Sequence, residues 1–142
     1  MISRMVIAIA LLGASAQAAR ADRTVVKALE KRVAFDAPSA ERVQQVMDRY
    51  DTPIRELRHQ SSASLHELRL LLRNEEPDAK RLKRLADQVL ANRTHMNKLQ
   101  GDRLHEVEKV LTPSQFGKLL VSWRAVNRTI RLERQKATAT DS

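Results

Sequence analysis

The sequence contains no cysteine, and its 142 residues include only three glycines and four prolines. Aromatic residues are also scarce, with one tryptophan, one tyrosine and two phenylalanines. Without cysteine the chain can form neither a disulfide framework nor a thiolate metal site. The composition favours helices, because strand-forming residues are few and leucine, arginine, lysine and alanine are common. We therefore predict a small all-α protein.

Motifs for enzymatic chemistry are also missing from the sequence. It has no glycine-rich loop that could hold the phosphates of a nucleotide. It has no nucleophile and base in an arrangement that would mark a catalytic site. We therefore predict that the protein is not an enzyme and uses no cofactor.

The N-terminal 18 residues have the pattern of a secretory signal peptide. Met1–Arg4 is a short positive segment, Met5–Leu12 is apolar, and Ala16-Gln17-Ala18 has the form of a cleavage site. The alternative is an uncleaved membrane anchor, but the apolar run is far shorter than the roughly 20 residues that a membrane span needs. We expect cleavage after Ala18 and, in a bacterial cell, export to the periplasm.

The chain is strongly basic, with a formal net charge of +9 at pH 7. An exported protein without a nucleic-acid-binding motif is not expected to bind nucleic acid. The charge instead favours acidic proteins or a peripheral contact with anionic envelope lipids. The alternative is a solvated surface that keeps the chain soluble.

Helical periodicity predicts a long hairpin. Ser39–Arg73 has an apolar stripe at steps of three and four residues, which is typical of a helix with one buried face. Pro53 interrupts this stripe and predicts either a kink or two consecutive helices. The polar turn at 74–78 separates it from a second helix, Pro77–Val110, and the short connection makes the two helices antiparallel.

The remaining segments are assigned by capping and composition. Residues 19–36 are expected to form a flexible arm, although its valines and Leu29 could make a short amphipathic helix. A third amphipathic helix is expected from Thr112 to about Gln135. The predicted organisation is a signal peptide at 1–18, the arm at 19–36, a helical domain at 37–136 and a disordered tail at 137–142.

The best-defined motif begins the third helix. Thr112 is a good N-cap, Pro113 suits the first helical position, and Gln115 can reach back to the Thr112 N–H to complete a capping box. Aligning Ser39 with Thr112 suggests a degenerate first copy of this motif, although any two amphipathic helices match to some extent.

A hairpin and one further helix leave apolar surface uncovered, which favours a homodimer. We expect the exposed part to be a shallow apolar surface beside arginines, and this surface would bind exposed segments of other proteins. The candidate binding residues are Met47, Tyr50, Phe116, Trp123, Arg124, Arg128 and Arg131.

The motif Leu111-Thr112-Pro113-Ser114-Gln115, in an exported, basic, cysteine-free helical chain, resembles the Spy and CpxP family of periplasmic stress chaperones. The resemblance covers about residues 36–135. It implies a cradle-shaped dimer that binds unfolding or misfolded envelope proteins without ATP. Whether a sensor kinase or an anti-sigma factor is also a partner stays open at this point.

The alternative function is a periplasmic sensor or buffer of zinc, nickel or copper, because related proteins of the same fold respond to metals. The sequence contains no His-x-x-x-His spacing, and no complete metal site is predicted. Across the predicted hairpin, His59 and His95 are the two histidines that could come near each other.

Overall fold

The computed structural model describes residues 23–140, which form four helices and no strand. The helices are α1 (Thr24–Val33), α2 (Ala37–Leu71), α3 (Ala79–Val110) and α4 (Pro113–Thr140). The all-α prediction is confirmed. None of these helices has an apolar stretch long enough to cross a membrane. The predicted signal peptide lies outside the described residues.

The chain divides into two compact units. The described residues up to Gln45 and from Glu108 onward form one of them, here called the terminal unit. Val46–Val107 form the other, here called the hairpin unit. The long helices α2 and α3 each contribute to both units.

Helix α1 corrects the expectation of a flexible arm. Its apolar face is buried in the terminal unit, where α1 packs against α4. Leu29 is 0% exposed, and the backbone N–H of Val26 donates a buried hydrogen bond to Gln44 Oε1 at 3.1 Å. The helix ends at Val33, and the following residue, Ala34, caps it in the left-handed conformation with φ 55°. The arm prediction is wrong because packing, not a strong N-cap, stabilises this helix.

Helix α2 passes through Pro53 without ending, so the alternative of two consecutive helices is wrong. Proline removes one backbone hydrogen bond and costs a helix interior about 3 kcal/mol. Ile54 and Leu57 are buried directly after it, and the apolar stripe continues on the same side of the helix. Burial of that stripe offsets the local cost.

Contacts on both sides of the turn confirm the antiparallel hairpin. Near the turn, the Arg81 guanidinium forms an ion pair with the Glu67 carboxylate. At the other end of the hairpin unit, Arg49 Nη2 lies 4.0 Å from Glu106 Oε2. Helix α3 begins at Ala79, two residues later than predicted, because Asp78 Oδ1 accepts hydrogen bonds from the backbone N–H groups of the first turn.

Helix α4 continues to Thr140, so the prediction of a disordered tail is wrong for residues 137–140. Arg131–Thr140 is exposed on every side. Its residues are mostly good helix formers, and the Thr140 hydroxyl donates to the Lys136 carbonyl at 2.7 Å. The last two residues of the predicted tail lie outside the described part of the chain.

Candidate functional site

The motif at the start of α4 forms the predicted capping box. The Thr112 N–H donates to Gln115 Oε1 at 3.0 Å, and the Gln115 N–H donates to Thr112 Oγ1 at 3.2 Å. Pro113 is the first helical residue, where its missing N–H leaves no donor unsatisfied. Leu111 is half-buried next to the cap.

Gln115 also connects α4 to the start of α2. Its Nε2 donates to Asp36 Oδ1 at 3.3 Å and to Ser39 Oγ at 3.1 Å. Ser39 is only 2% exposed, and its hydroxyl accepts a further hydrogen bond from Arg42 at 3.3 Å. One glutamine therefore closes its own helix start and holds a second helix start against it. Capping statistics alone could not predict this second role.

The same contacts correct the register of the internal repeat. The carbonyl of Asp36 accepts from the Ala40 N–H, as the carbonyl of Thr112 accepts from the Phe116 N–H. Asp36 is therefore the structural counterpart of Thr112, and Ser39 is the counterpart of Gln115. The sequence alignment of Ser39 with Thr112 was off by three residues, because serine was assumed to be the cap.

The predicted binding residues of α4 lie on two different sides of the helix. Phe116 and Trp123 are half-buried and lie on the side of Leu119, which is 0% exposed. The arginines lie on the opposite, exposed side. These are Arg124, Arg128 and Arg131. The structure therefore separates the aromatic residues from the basic ones, because inward packing uses the aromatic side.

The two predicted residues of the hairpin unit are also covered to different degrees. Met47 is buried, and Tyr50 is half-buried. The exposed large apolar residues of this unit lie elsewhere and were not predicted as binding residues. They are Leu65, Leu70, Leu72 and Leu90. Two of them, Leu65 and Leu72, belong to the stripe that was expected to be buried, and the other two fall outside the stripes.

The four histidines are exposed. His59 comes two residues after the buried Leu57, which places it on the side of α2 that faces away from the buried stripe. His95 lies beside the buried stripe of α3. Within residues 23–140, no group of three or more His, Cys, Asp or Glu side chains is placed to hold a metal ion.

Two polar side chains interrupt the core of the hairpin unit. Ser64 is buried, and Asn92 Nδ2 is buried without a hydrogen-bond partner. A buried, unpaired amide costs about 1–3 kcal/mol, so the packing around Asn92 is less stable than the apolar packing elsewhere in this unit.

Charge differs between the two units. Gly117–Lys136 carries six lysines and arginines but one acidic residue, Glu133. In the hairpin unit acidic and basic residues are nearly balanced, and several form ion pairs. One such pair is exposed on α3, where a hydrogen bond to Asp102 raises the pKa of Lys98. The strongest excess of positive charge is therefore on α4.

A family model described as heavy-metal resistance matches residues 5–118, which is most of the chain. The matched region includes the whole hairpin unit and the capping box with its partners on α2. Neither the comparison with curated proteins nor that with solved structures found a match.

Proposed function

This chain belongs to the heavy-metal resistance family, and from that premise we propose that it is a periplasmic sensor or buffer of zinc, nickel or copper. The family match carries the proposal, because it covers the whole hairpin unit and the described part of the terminal unit up to Lys118, and not a single short motif. Proteins of this family are typically periplasmic. The predicted signal peptide at 1–18 supports the same location for this chain.

The described residues do not fit a complete metal site within one chain, since no three potential ligands are grouped there. The four imidazoles of the hairpin unit are exposed, so an ion in solution can reach them. Imidazole is a suitable ligand for zinc, nickel and copper. We therefore assign the first contact with metal to exposed histidines. A second chain or water would supply the remaining ligands.

The metal proposal predicts that the full chain binds zinc, nickel or copper with micromolar or tighter affinity in a calorimetric titration. Replacing all four histidines by alanine should remove the binding. Because His59 and His95 lie on different sides of the hairpin, His59→Ala and His95→Ala are expected to weaken binding independently.

The matched control replaces exposed neighbours, Gln60→Ala and Thr94→Ala, and should leave the titration unchanged. If the full chain binds none of the three metals, the metal proposal is wrong. If the variant without histidines binds as tightly as the full chain, the assignment to histidines is wrong.

A second candidate function is an ATP-independent chaperone for unfolding envelope proteins. One observation favours it: the hairpin unit exposes large leucines, of which Leu72 and Leu90 are each at least 60% exposed. Leu65 precedes Leu72 by seven residues, which is two helical turns, so both leucines lie on the same side at the C-terminal end of α2. Exposed apolar side chains beside basic ones can attract unfolded segments of other proteins.

The chaperone candidate predicts that the full chain, in molar excess and without nucleotide, suppresses aggregation of a denatured client, and does so less well at high salt. Leu72→Ser with Leu90→Ser should lose most of the suppression. Ala63→Ser with Ala91→Ser, at exposed positions of α2 and α3, should retain it. Equal suppression by both variants would contradict a role of the leucines, and no suppression by the full chain would exclude this candidate.

A further inference from the structure

The outward side of α4 combines apolar and basic side chains. The inward side of this helix is defined by Leu119, Val126 and Ile130, which are all buried. On the opposite side Val121 is 89% exposed and Leu132 is 49% exposed. An exposed apolar residue is ordinary by itself, but these two share one helix side at a spacing of three turns.

The same side has positive charge and no acidic residue. Arg124 and Arg128 lie between Val121 and Leu132, and Arg131 lies next to them; all three are exposed. Glu133 is the one acidic residue of this part of α4, and it lies toward the inward side. Its carboxylate accepts a hydrogen bond from Lys136 Nζ at 3.3 Å. The outward side is therefore cationic along its whole length.

This side differs from a site for a folded protein partner. A stable protein interface needs about 800 Å² of complementary surface on each partner, whereas here one helix side is presented, with a groove where Val121 adjoins Arg32 and Val33 of α1. A lipid headgroup layer needs no complementary shape. It accepts a few apolar side chains at the interface, while the long basic side chains extend to the phosphates.

We propose that the outward side of α4, from Val121 to Leu132, docks on the surface of an anionic phospholipid bilayer. The phosphates pair with Arg124, Arg128 and Arg131, and the two exposed apolar side chains enter the headgroup layer. This surface is independent of the histidines and of the exposed leucines of the hairpin unit, so its test is separate from those of metal binding and client binding.

The test measures cosedimentation of the full chain with vesicles of phosphatidylglycerol and phosphatidylcholine, and with vesicles of phosphatidylcholine alone. The full chain should prefer the anionic vesicles, and the preference should fall with salt. A basic residue near such a surface contributes about a fivefold increase in binding, so R124Q/R128Q/R131Q should lower partitioning about a hundredfold.

The matched control removes the same charge from exposed positions of the hairpin unit, as R58Q/R69Q/R73Q, and should lose far less binding. Val121→Ser with Leu132→Ser should weaken binding severalfold. Residues 1–22 are identical in all variants, so the contribution of the apolar run Met5–Leu12 cancels. Circular dichroism should show the same helicity throughout, because every substituted side chain is exposed.

Three results would overturn the proposal. The full chain could fail to prefer anionic vesicles, or the hairpin control could lose as much binding as the α4 variant. In the third result, the variant with Val121→Ser and Leu132→Ser binds vesicles as the full chain does, and the full chain binds soluble polyglutamate as tightly as it binds the anionic vesicles. That result would reassign the surface to acidic proteins.

Discussion

Leu119→Ala is expected to lower the free energy of unfolding by about 3–4 kcal/mol, the largest single-residue effect that we predict for this chain. Leu119 is 0% exposed and lies in the core of the terminal unit, whose other fully buried residues include Leu29, Val43 and Val126. Truncation removes the transfer free energy of the leucine side chain and leaves a cavity among these residues. The helix itself should form as before, since alanine has the higher helix propensity.

The adjacent residue provides the control for this substitution. Leu120 is 46% exposed on the same helix, so Leu120→Ala should lower the free energy of unfolding by less than about 1 kcal/mol. Urea unfolding followed by circular dichroism measures both values. Equal effects of the two substitutions would show that the terminal unit is not packed around Leu119.

Gln115→Ala is expected to cost about 2 kcal/mol, because the side chain makes three partly exposed hydrogen bonds that each contribute roughly 0.5–1 kcal/mol. One closes the capping box on Thr112, and the other two reach Asp36 and Ser39. Removing the amide also leaves the buried Ser39 hydroxyl without one of its partners. If Gln115 acted only as a cap within α4, its removal would lower the free energy of unfolding by less than this total.

Two further variants separate these roles of Gln115. Gln115→Glu keeps the acceptor for the Thr112 N–H, but at neutral pH it replaces the donor to Asp36 by a carboxylate that repels the Asp36 carboxylate, so it should be almost as unstable as the alanine variant. Ser114→Ala, in the same helical turn and exposed, should change stability by less than about 0.5 kcal/mol. If Gln115→Glu unfolds like the wild-type chain, the connection between the two helix starts is energetically unimportant.

Local patterns account for the parts of the fold that were predictable. The capping box depends on residues within one turn, and its two backbone hydrogen bonds occur where Thr112 and Gln115 predict them. The hairpin follows from two apolar stripes joined by a short polar turn, and the ion pair between Glu67 and Arg81 fits the predicted antiparallel course.

Most of the errors concern segments whose structure depends on distant residues; the exception is the tail at 137–140, which continues α4 through its own helix-forming residues. Helix α1 lacks a side-chain cap and is held by packing against α4, so its own sequence predicts only a weak helix. The break at Pro53 was expected because proline disfavours a helix interior, but burial of the neighbouring stripe outweighs that local preference. The repeat was misaligned because Ser39 resembles an N-cap, while the structure places Asp36 there.

The candidate sites divide in the same way. The sequence identified the aromatic and basic residues of α4 but could not assign them to opposite sides without knowing which side packs inward. Val121 and Leu132 were missed as surface residues, since apolar residues in a helix are normally expected to be buried. The four histidines were visible from the sequence, but whether they converge depends on the packing of α2 against α3.

By itself, the sequence determined the all-α class, the capping box, the antiparallel hairpin and the excess of positive charge, because these depend on composition and on residues a few positions apart. Only the tertiary structure decided that Gln115 joins two helix starts, that α1 is part of the core and that α4 has a cationic, partly apolar outer side. These features depend on which surfaces are buried against each other, and burial is settled by contacts between residues far apart in the chain.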